Sequence, residues 1–90
     1  MIQDATRTIR LIVADDHPIV RGGLRRMVEL EPDFVFAGEA DTADALFAVL
    51  AEAAADVLLL DVAMPGPGVL EVLRRVGQAH PGLRTLVLSV

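Results

Sequence analysis

The chain has 90 residues and a formal net charge of −5, and 53% of its residues are hydrophobic. A chain of this length forms one domain at most, and so apolar a composition excludes intrinsic disorder. All eight basic residues are arginines, and with an acidic balance overall we expect no direct contact with nucleic acid. Cysteine is absent, which excludes disulfides and thiolate metal sites. No stretch reaches the roughly 18 apolar residues of a membrane span, so we expect a cytoplasmic protein.

The first half of the chain predicts two strands and two helices. The apolar, β-branched run Ile9–Ala14 predicts a buried strand, and Pro18 suits the first position of a helix over residues 18–30. The short run Phe34–Ala37 predicts a strand at an edge of the sheet. Thr42 then predicts the N-cap of a second helix, whose apolar stripe extends over residues 43–54.

The second half repeats this alternation of strand and helix. Val57–Leu60 predicts a buried strand that ends on Asp61, and Met64–Pro67 predicts a turn. Pro81–Gly82 interrupts the chain before a fourth predicted strand, Leu83–Ser89. Between the turn and this interruption we predict a third helix, with apolar residues at helical spacing at Leu70, Leu73 and Val76.

Strands that alternate with helices predict an α/β fold, a doubly wound parallel sheet with helices on both faces. The carboxyl ends of parallel strands meet at one edge of the sheet. The strand order 2-1-3-4 would bring Asp15, Asp16, Asp61 and Ser89 around one crevice, at the point where the strand order reverses.

Carboxylates held close together repel one another, and a raised pKa or a bound cation relieves that repulsion. An open acidic pocket with oxygen ligands suits Mg²⁺. Asp61 stands alone at a strand end and is the better candidate nucleophile, whereas the adjacent Asp15 and Asp16 suit metal binding. Taken singly, each acidic segment is equally consistent with solvated loop residues or helix caps.

Three motifs together resemble the receiver domains of bacterial two-component response regulators. They are LIVADDHP at Leu11–Pro18, LLLDVAMPG at Leu58–Gly66 and LVLS at Leu86–Ser89. The DDHP form resembles the subfamily in which a helix-turn-helix DNA-binding domain follows the receiver. The resemblance implies a flavodoxin-like fold and a role in a phosphorelay that regulates transcription.

By this resemblance, Asp61 is the phosphorylation site, and its phosphoryl group comes from a phosphohistidine on a sensor histidine kinase. Asp15 and Asp16 would hold Mg²⁺ together with Asp61 and the backbone carbonyl of Ala63. Ser89 would be the switch hydroxyl that closes onto the phosphoryl group. Such a domain is not a turnover enzyme, although it catalyses its own phosphorylation. The turn residues that would shape the loop beside the acceptor are Met64 and Pro65.

The sequence also departs from the family pattern. Residues 1–90 are expected to form an incomplete receiver domain that lacks a fifth strand and the last two helices. Without those elements one face of the sheet would be exposed. We therefore expect either that the sequence is a fragment of a longer chain or that a homodimer covers this face. The family's phosphoryl-contacting Lys has no counterpart, because the chain contains no Lys. Val69 replaces a common Gly and is expected to stiffen the loop after the acceptor.

Several residues are given an ordinary structural interpretation. His17 is interpreted as the residue before a helix-starting proline, in preference to a transition-metal ligand or general base. His80 carries no functional signal. One arginine cluster is interpreted as the solvated face of the first helix, with kinase docking as the alternative; it comprises Arg21, Arg25 and Arg26.

Other functions remain as alternatives. The first is a receiver-like interaction module that no longer takes phosphate. A phosphohydrolase of the haloacid dehalogenase type is disfavoured, because the second Asp expected two residues after the nucleophile is Ala63 here. A flavodoxin-like nucleotide binder is disfavoured because the loop after the first strand is acidic instead of rich in Gly, Ser or Thr.

Overall fold

A computed structural model describes residues 8–89, which form a four-stranded parallel sheet flanked by three helices. Neighbouring strands pair in the order β2-β1-β3-β4. This confirms the predicted doubly wound, flavodoxin-like order 2-1-3-4, with β2 at an edge. The elements are β1 (Ile9–Ala14), α1 (Pro18–Leu30), β2 (Phe34–Ala40), α2 (Ala43–Glu52), β3 (Val57–Asp61), α3 (Val69–Ala79) and β4 (Arg84–Leu88).

The main core lies between the sheet and helices α2 and α3. Alternate residues of a strand point to the same face of the sheet. On the face that α2 and α3 cover, Ile12 of β1 and Leu58 of β3 are fully buried. Leu46 of α2 and Val76 of α3 pack onto them. Burying each such side chain stabilises the fold by about 1.5 to 3 kcal/mol, and this core fixes the carboxyl ends of β1 and β3 side by side.

The opposite face of the sheet is covered less completely. Helix α1 contacts β1 and β2 there, and its Val28 is buried while Leu86 of β4 stays 58% exposed. An apolar groove of about 630 Å³ lies between α1 and the sheet and includes Leu11, Leu59 and Leu86. Among the described helices, α2 and α3 pack on the other face, and α1 is the one that covers this face. Within residues 8–89, none of the helices is long and apolar enough to cross a membrane.

Strand β2 is longer than predicted, extending to Ala40 instead of Ala37. The register shifts opposite Leu11 and Ile12, after which Gly38, Glu39 and Ala40 pair with Ile12, Val13 and Ala14. A bulge of this kind lets a strand continue through residues of low strand propensity. Strand β4 is shorter than predicted at both ends. At its start, the amide of Leu83 donates to the His80 carbonyl in a turn instead of to a neighbouring strand.

Two helix ends test the sequence predictions. The hydroxyl oxygen of Thr42 accepts from the amide of Ala45 at 3.1 Å, which confirms Thr42 as the N-cap of α2. That helix ends at Glu52, two residues earlier than predicted. Val69 was placed in the loop after the acceptor, and this was wrong: it is the first residue of α3, and Gly68 before it takes the positive φ of 97° that the turn requires.

Candidate functional site

The acidic residues lie where β1 and β3 end at the same edge of the sheet. Asp15 directly follows β1, and its amide donates to the carbonyl of Ala40 at 3.0 Å, one step beyond the β1–β2 ladder. Its side chain is buried, and its Oδ1 accepts from the amide of His17 at 2.8 Å. The carboxylate therefore has a fixed orientation into the crevice.

Asp61 is the last residue of β3 and is only 4% exposed. Its Oδ1 accepts from the amide of Ala63 at 3.0 Å, within the turn that follows the strand. Its Oδ2 is buried and has no hydrogen-bond partner, and the same is true of Oδ1 of Asp16. Buried polar atoms without a partner are uncommon in folded proteins and call for an explanation.

A cation explains both unpaired oxygens. Asp15, Asp16, His17 and Asp61 each offer one ligand atom, and these atoms lie within 4.8 Å of one another. The three carboxylates repel each other unless positive charge is brought between them. Carboxylate oxygens are the ligands that Mg²⁺ prefers, so the three aspartates fit the ion that the sequence predicted.

His17 lies closer to the carboxylates than its preferred interpretation, as the residue before a helix-starting proline, implied. It is the N-cap residue of α1 without a side-chain capping bond, and its ring turns back toward the carboxylates. Its Nδ1 lies 3.1 Å from Oδ1 of Asp15 and 3.6 Å from Oδ2 of Asp61. The hydrogen bond to Asp15, and then the charge of Asp16, raise the pKa of His17 above its usual value. Besides preceding Pro18, His17 is thus part of the cluster.

Arg21 was assigned to the solvated face of α1, and this was wrong. Its side chain is 20% exposed, and it donates to the backbone carbonyl of Asp15 at 2.7 Å and to Glu39 at 2.8 Å. Arg25 donates to the other carboxylate oxygen of Glu39 at 3.1 Å, while Arg26 is exposed as expected. The sequence signal was an arginine one helical turn after the acidic loop, together with a glutamate near the end of a neighbouring strand.

The remaining predicted residues lie around the cluster. Ser89 is exposed and directly follows Leu88, which pairs with Asp61 and accepts from the amide of Val62 at 2.9 Å. Ser89 is therefore at the same sheet edge as Asp61. In the turn after β3, Met64 is buried in the main core and Pro65 is exposed. Met64 thus anchors the turn that begins at Asp61.

Comparison with known proteins identifies the family. The sequence model described as "Response regulator receiver domain" matches residues 11–90. The chain belongs to the response regulator receiver family. Within this family, the chain is 37% identical over 82 residues to the response regulator GacA of Pseudomonas viridiflava, covering 91% of this chain and 38% of that protein. It is 33% identical over 82 residues to UvrY of Escherichia coli, with the same shares covered.

Solved receiver structures agree with the fold. The isolated receiver domain of RcsB from Salmonella enterica serovar Typhimurium, in the presence of phosphomimetic BeF₃⁻, is 31% identical with a TM-score of 0.86. That match covers 92% of this chain and 62% of the solved one. RcsB bound to promoter rprA gives a TM-score of 0.85 at 32% identity, covering 91% of this chain and 42% of RcsB. The chain thus spans well under half the length of the curated relatives that it matches.

Proposed function

We propose that this receiver is a phospho-acceptor signalling switch of a bacterial two-component system, phosphorylated on Asp61 by a sensor histidine kinase in a magnesium-dependent reaction. The carboxylate of Asp61 is buried at the end of a central strand, and the Ala63 amide orients one of its oxygens. The other oxygen is buried without a partner inside an acidic cluster. That unpaired oxygen is the observation that carries the proposal, because it is free to meet a cation or a phosphoryl group.

Asp15, Asp16 and Asp61 would hold Mg²⁺, with the backbone carbonyl of Ala63 as a further ligand. When bound, the ion supplies positive charge that neutralises the phosphoryl oxygens. Asp15 is held in place by three contacts: its amide bonds to β2, its Oδ1 accepts from the His17 amide, and its carbonyl accepts from Arg21. Such fixed ligands need little rearrangement when the ion arrives.

In the transfer, an oxygen of the Asp61 carboxylate bonds to phosphorus while the bond from phosphorus to the donor imidazole nitrogen breaks. The imidazole leaves with the electron pair, and the product is an acyl phosphate on Asp61. The receiver contributes to this reaction and is itself the modified product, so it does not turn over. Ser89 lies at the same sheet edge, and its hydroxyl would close onto the phosphoryl group as the switch.

The downstream role is proposed from the relatives. RcsB has been solved bound to promoter DNA, and this supports control of transcription by an output domain that is not among these 90 residues. The acidic balance, with a net charge of −5, favours DNA contact by that domain rather than by the receiver. We also propose that the protein is cytoplasmic and that it can form a homodimer.

Intact-mass measurement tests the proposal. The protein is incubated with Mg²⁺ and acetyl phosphate, alongside Asp61→Asn and, as a matched control, Asp33→Asn, which changes an exposed aspartate. We expect one added phosphoryl group on the native protein and on Asp33→Asn, and none on Asp61→Asn. A native protein that stays unmodified would contradict the proposal and favour a receiver-like interaction module that takes no phosphate.

A further inference from the structure

The imidazole of His17 adds a nitrogen donor to the acidic cluster. Its Nδ1 lies 3.1 Å from Oδ1 of Asp15, 3.0 Å from Oδ1 of Asp16 and 3.6 Å from Oδ2 of Asp61. The ring is 59% exposed, whereas the side chains of Asp15 and Asp61 are each 3% exposed. His17 thus lies at the solvent entrance of the cluster, with one ring nitrogen directed inward.

These separations match those between ligands of a single metal ion. With metal–ligand bonds of about 2.1 Å, neighbouring ligand atoms are about 3.0 Å apart in an octahedral site and about 3.4 Å apart in a tetrahedral one. Two of the distances from Nδ1, 3.1 Å to Asp15 and 3.0 Å to Asp16, fall in this range, and the third, 3.6 Å to Asp61, is slightly longer. A cation can therefore contact the ring nitrogen and the carboxylates after only small shifts of the side chains.

Hydrogen bonds within the cluster leave two buried carboxylate oxygens without a partner. Nδ1 of His17 bonds to Asp15, yet Oδ1 of Asp16 at 3.0 Å and Oδ2 of Asp61 have no hydrogen-bond partner. The Asp61 side chain is 97% enclosed, so water from bulk solvent does not satisfy its free oxygen. A cation held between the ring nitrogen and these two oxygens would satisfy both at once.

We propose that His17 converts the receiver's acidic pocket into a mixed nitrogen and oxygen site that binds a first-row transition cation, with Zn²⁺ or Co²⁺ as examples, more tightly than Mg²⁺. Imidazole is a good ligand for these ions, while Mg²⁺ prefers oxygen and dehydrates reluctantly. The transition cation uses the carboxylates assigned to Mg²⁺, so the two ions compete. The predicted competition with Mg²⁺ rests on the proposed function.

The test titrates Co²⁺ and, separately, Mg²⁺ into untagged protein by calorimetry. His17→Asn removes the ring nitrogen, and His80→Asn is the matched control, because His80 also precedes a proline but lies at the end of α3. We expect His17→Asn to bind Co²⁺ at least about tenfold more weakly, as is usual when groups that define a metal site are lost. Mg²⁺ affinity should not fall in this variant, because Mg²⁺ uses the oxygens.

A second measurement needs no variant. Imidazole nitrogen NMR spectra of the native protein are recorded with and without Zn²⁺, and the chain contains only two histidines. We expect the Nδ1 resonance of His17 to move on binding while both His80 nitrogens stay in place. Unmoved His17 resonances, or equal Co²⁺ affinity in His17→Asn and native protein, would overturn the inference.

The two proposals fail in different ways. If Asp61 takes a phosphoryl group with Mg²⁺ but Co²⁺ binding is independent of His17, the transition-metal inference is wrong and the switch stands. If Co²⁺ binds through His17 but the protein gains no phosphoryl mass under any donor condition, the switch is wrong and the metal site stands.

Discussion

The guanidinium of Arg21 donates to the backbone carbonyl of Asp15 at 2.7 Å, so the first turn of α1 holds the acidic loop that precedes it. The same guanidinium donates to Glu39 of β2 at 2.8 Å. A planar fork with several donors can serve two acceptors at once, which the compact ammonium of lysine does poorly. Arg21 therefore links α1, β2 and the loop that carries two of the proposed Mg²⁺ ligands.

The first prediction concerns Mg²⁺ affinity in Arg21→Lys. Removing the positive charge outright would by itself strengthen cation binding, so a lysine isolates the positioning effect by keeping the charge. Substitutions in the groups that orient metal ligands lower affinity by about 10-fold to 100-fold, and we expect the lower end of this range. Calorimetric titration with Mg²⁺ measures it.

Arg26→Lys is the control for this prediction, because Arg26 is exposed on the same helix. It should bind Mg²⁺ as the native protein does. If Arg21→Lys also kept native Mg²⁺ affinity, the contact from Arg21 to Asp15 would have no part in holding the metal ligands.

Local sequence signals predicted most of the fold. Pro18 and Thr42 marked helix starts correctly, and the apolar runs Ile9–Ala14 and Val57–Leu60 located the two central strands. The parallel order then followed from the alternation of strands and helices. The end of β2 was missed because Gly38 and Glu39 have low strand propensity, and pairing with β1 overrides that preference.

The site was predicted in outline but not in its contacts. Strand ends predicted that carboxylates would meet, since this depends only on the direction of parallel strands. The positions of the His17 and Arg21 side chains depend on rotamers and on partners distant in sequence, such as Glu39, 18 residues after Arg21. Periodicity and propensity carry no information on such contacts.

The second prediction concerns the close approach of α2 to β2 at Gly38. A Cβ at this position would lie 2.8 Å from Cγ1 of Val49, a stiff β-branched side chain. Overpacking of this kind costs about 1 to 3 kcal/mol, so Gly38→Ala should lower the free energy of unfolding by that amount. Urea denaturation measures the change.

Relief of the contact is the internal check on this prediction. The double variant Gly38→Ala with Val49→Ala should lose less free energy of unfolding than the two single variants lose when added together. The difference should be about 0.5 to 3 kcal/mol. Gly77→Ala is the matched control: an added Cβ there meets nothing within 4 Å. In the interior of α3 it should stabilise by up to about 1 kcal/mol. Strict additivity at positions 38 and 49 would exclude the proposed clash.

The third prediction concerns the main core. Leu46 of α2 is 0% exposed, so Leu46→Ala removes packed atoms that the surroundings cannot fully replace. Such changes cost about 2 to 5 kcal/mol in free energy of unfolding. Leu70→Ala makes the same chemical change at a side chain that is 80% exposed, and it should stay within about 0.5 kcal/mol of native. Equal losses in the two variants would mean that Leu46 is not a core residue.

The fourth prediction concerns Glu71 in the first turn of α3. Hydrogen bonds from Arg74 and then Arg75 lower the pKa of Glu71 to about 2. Because the folded-state pKa is depressed, the contribution of Glu71 to stability is fully present above the pKa of the unfolded chain, about 4.3. It is lost as the pH falls toward 2. The stability difference between native protein and Glu71→Gln should therefore shrink over this window.

Carboxyl carbon NMR titration gives the pKa of Glu71 directly. Arg74→Met should raise it toward the usual glutamate value, because it removes the donors at 3.0 and 2.5 Å that hold the ionised form. Arg84→Met, on exposed β4, is the control and should leave Glu71 unchanged. A free glutamate has a pKa of about 4.3. If Glu71 of the native protein titrated at that value, solvent would be screening these ion pairs too strongly for them to favour the carboxylate.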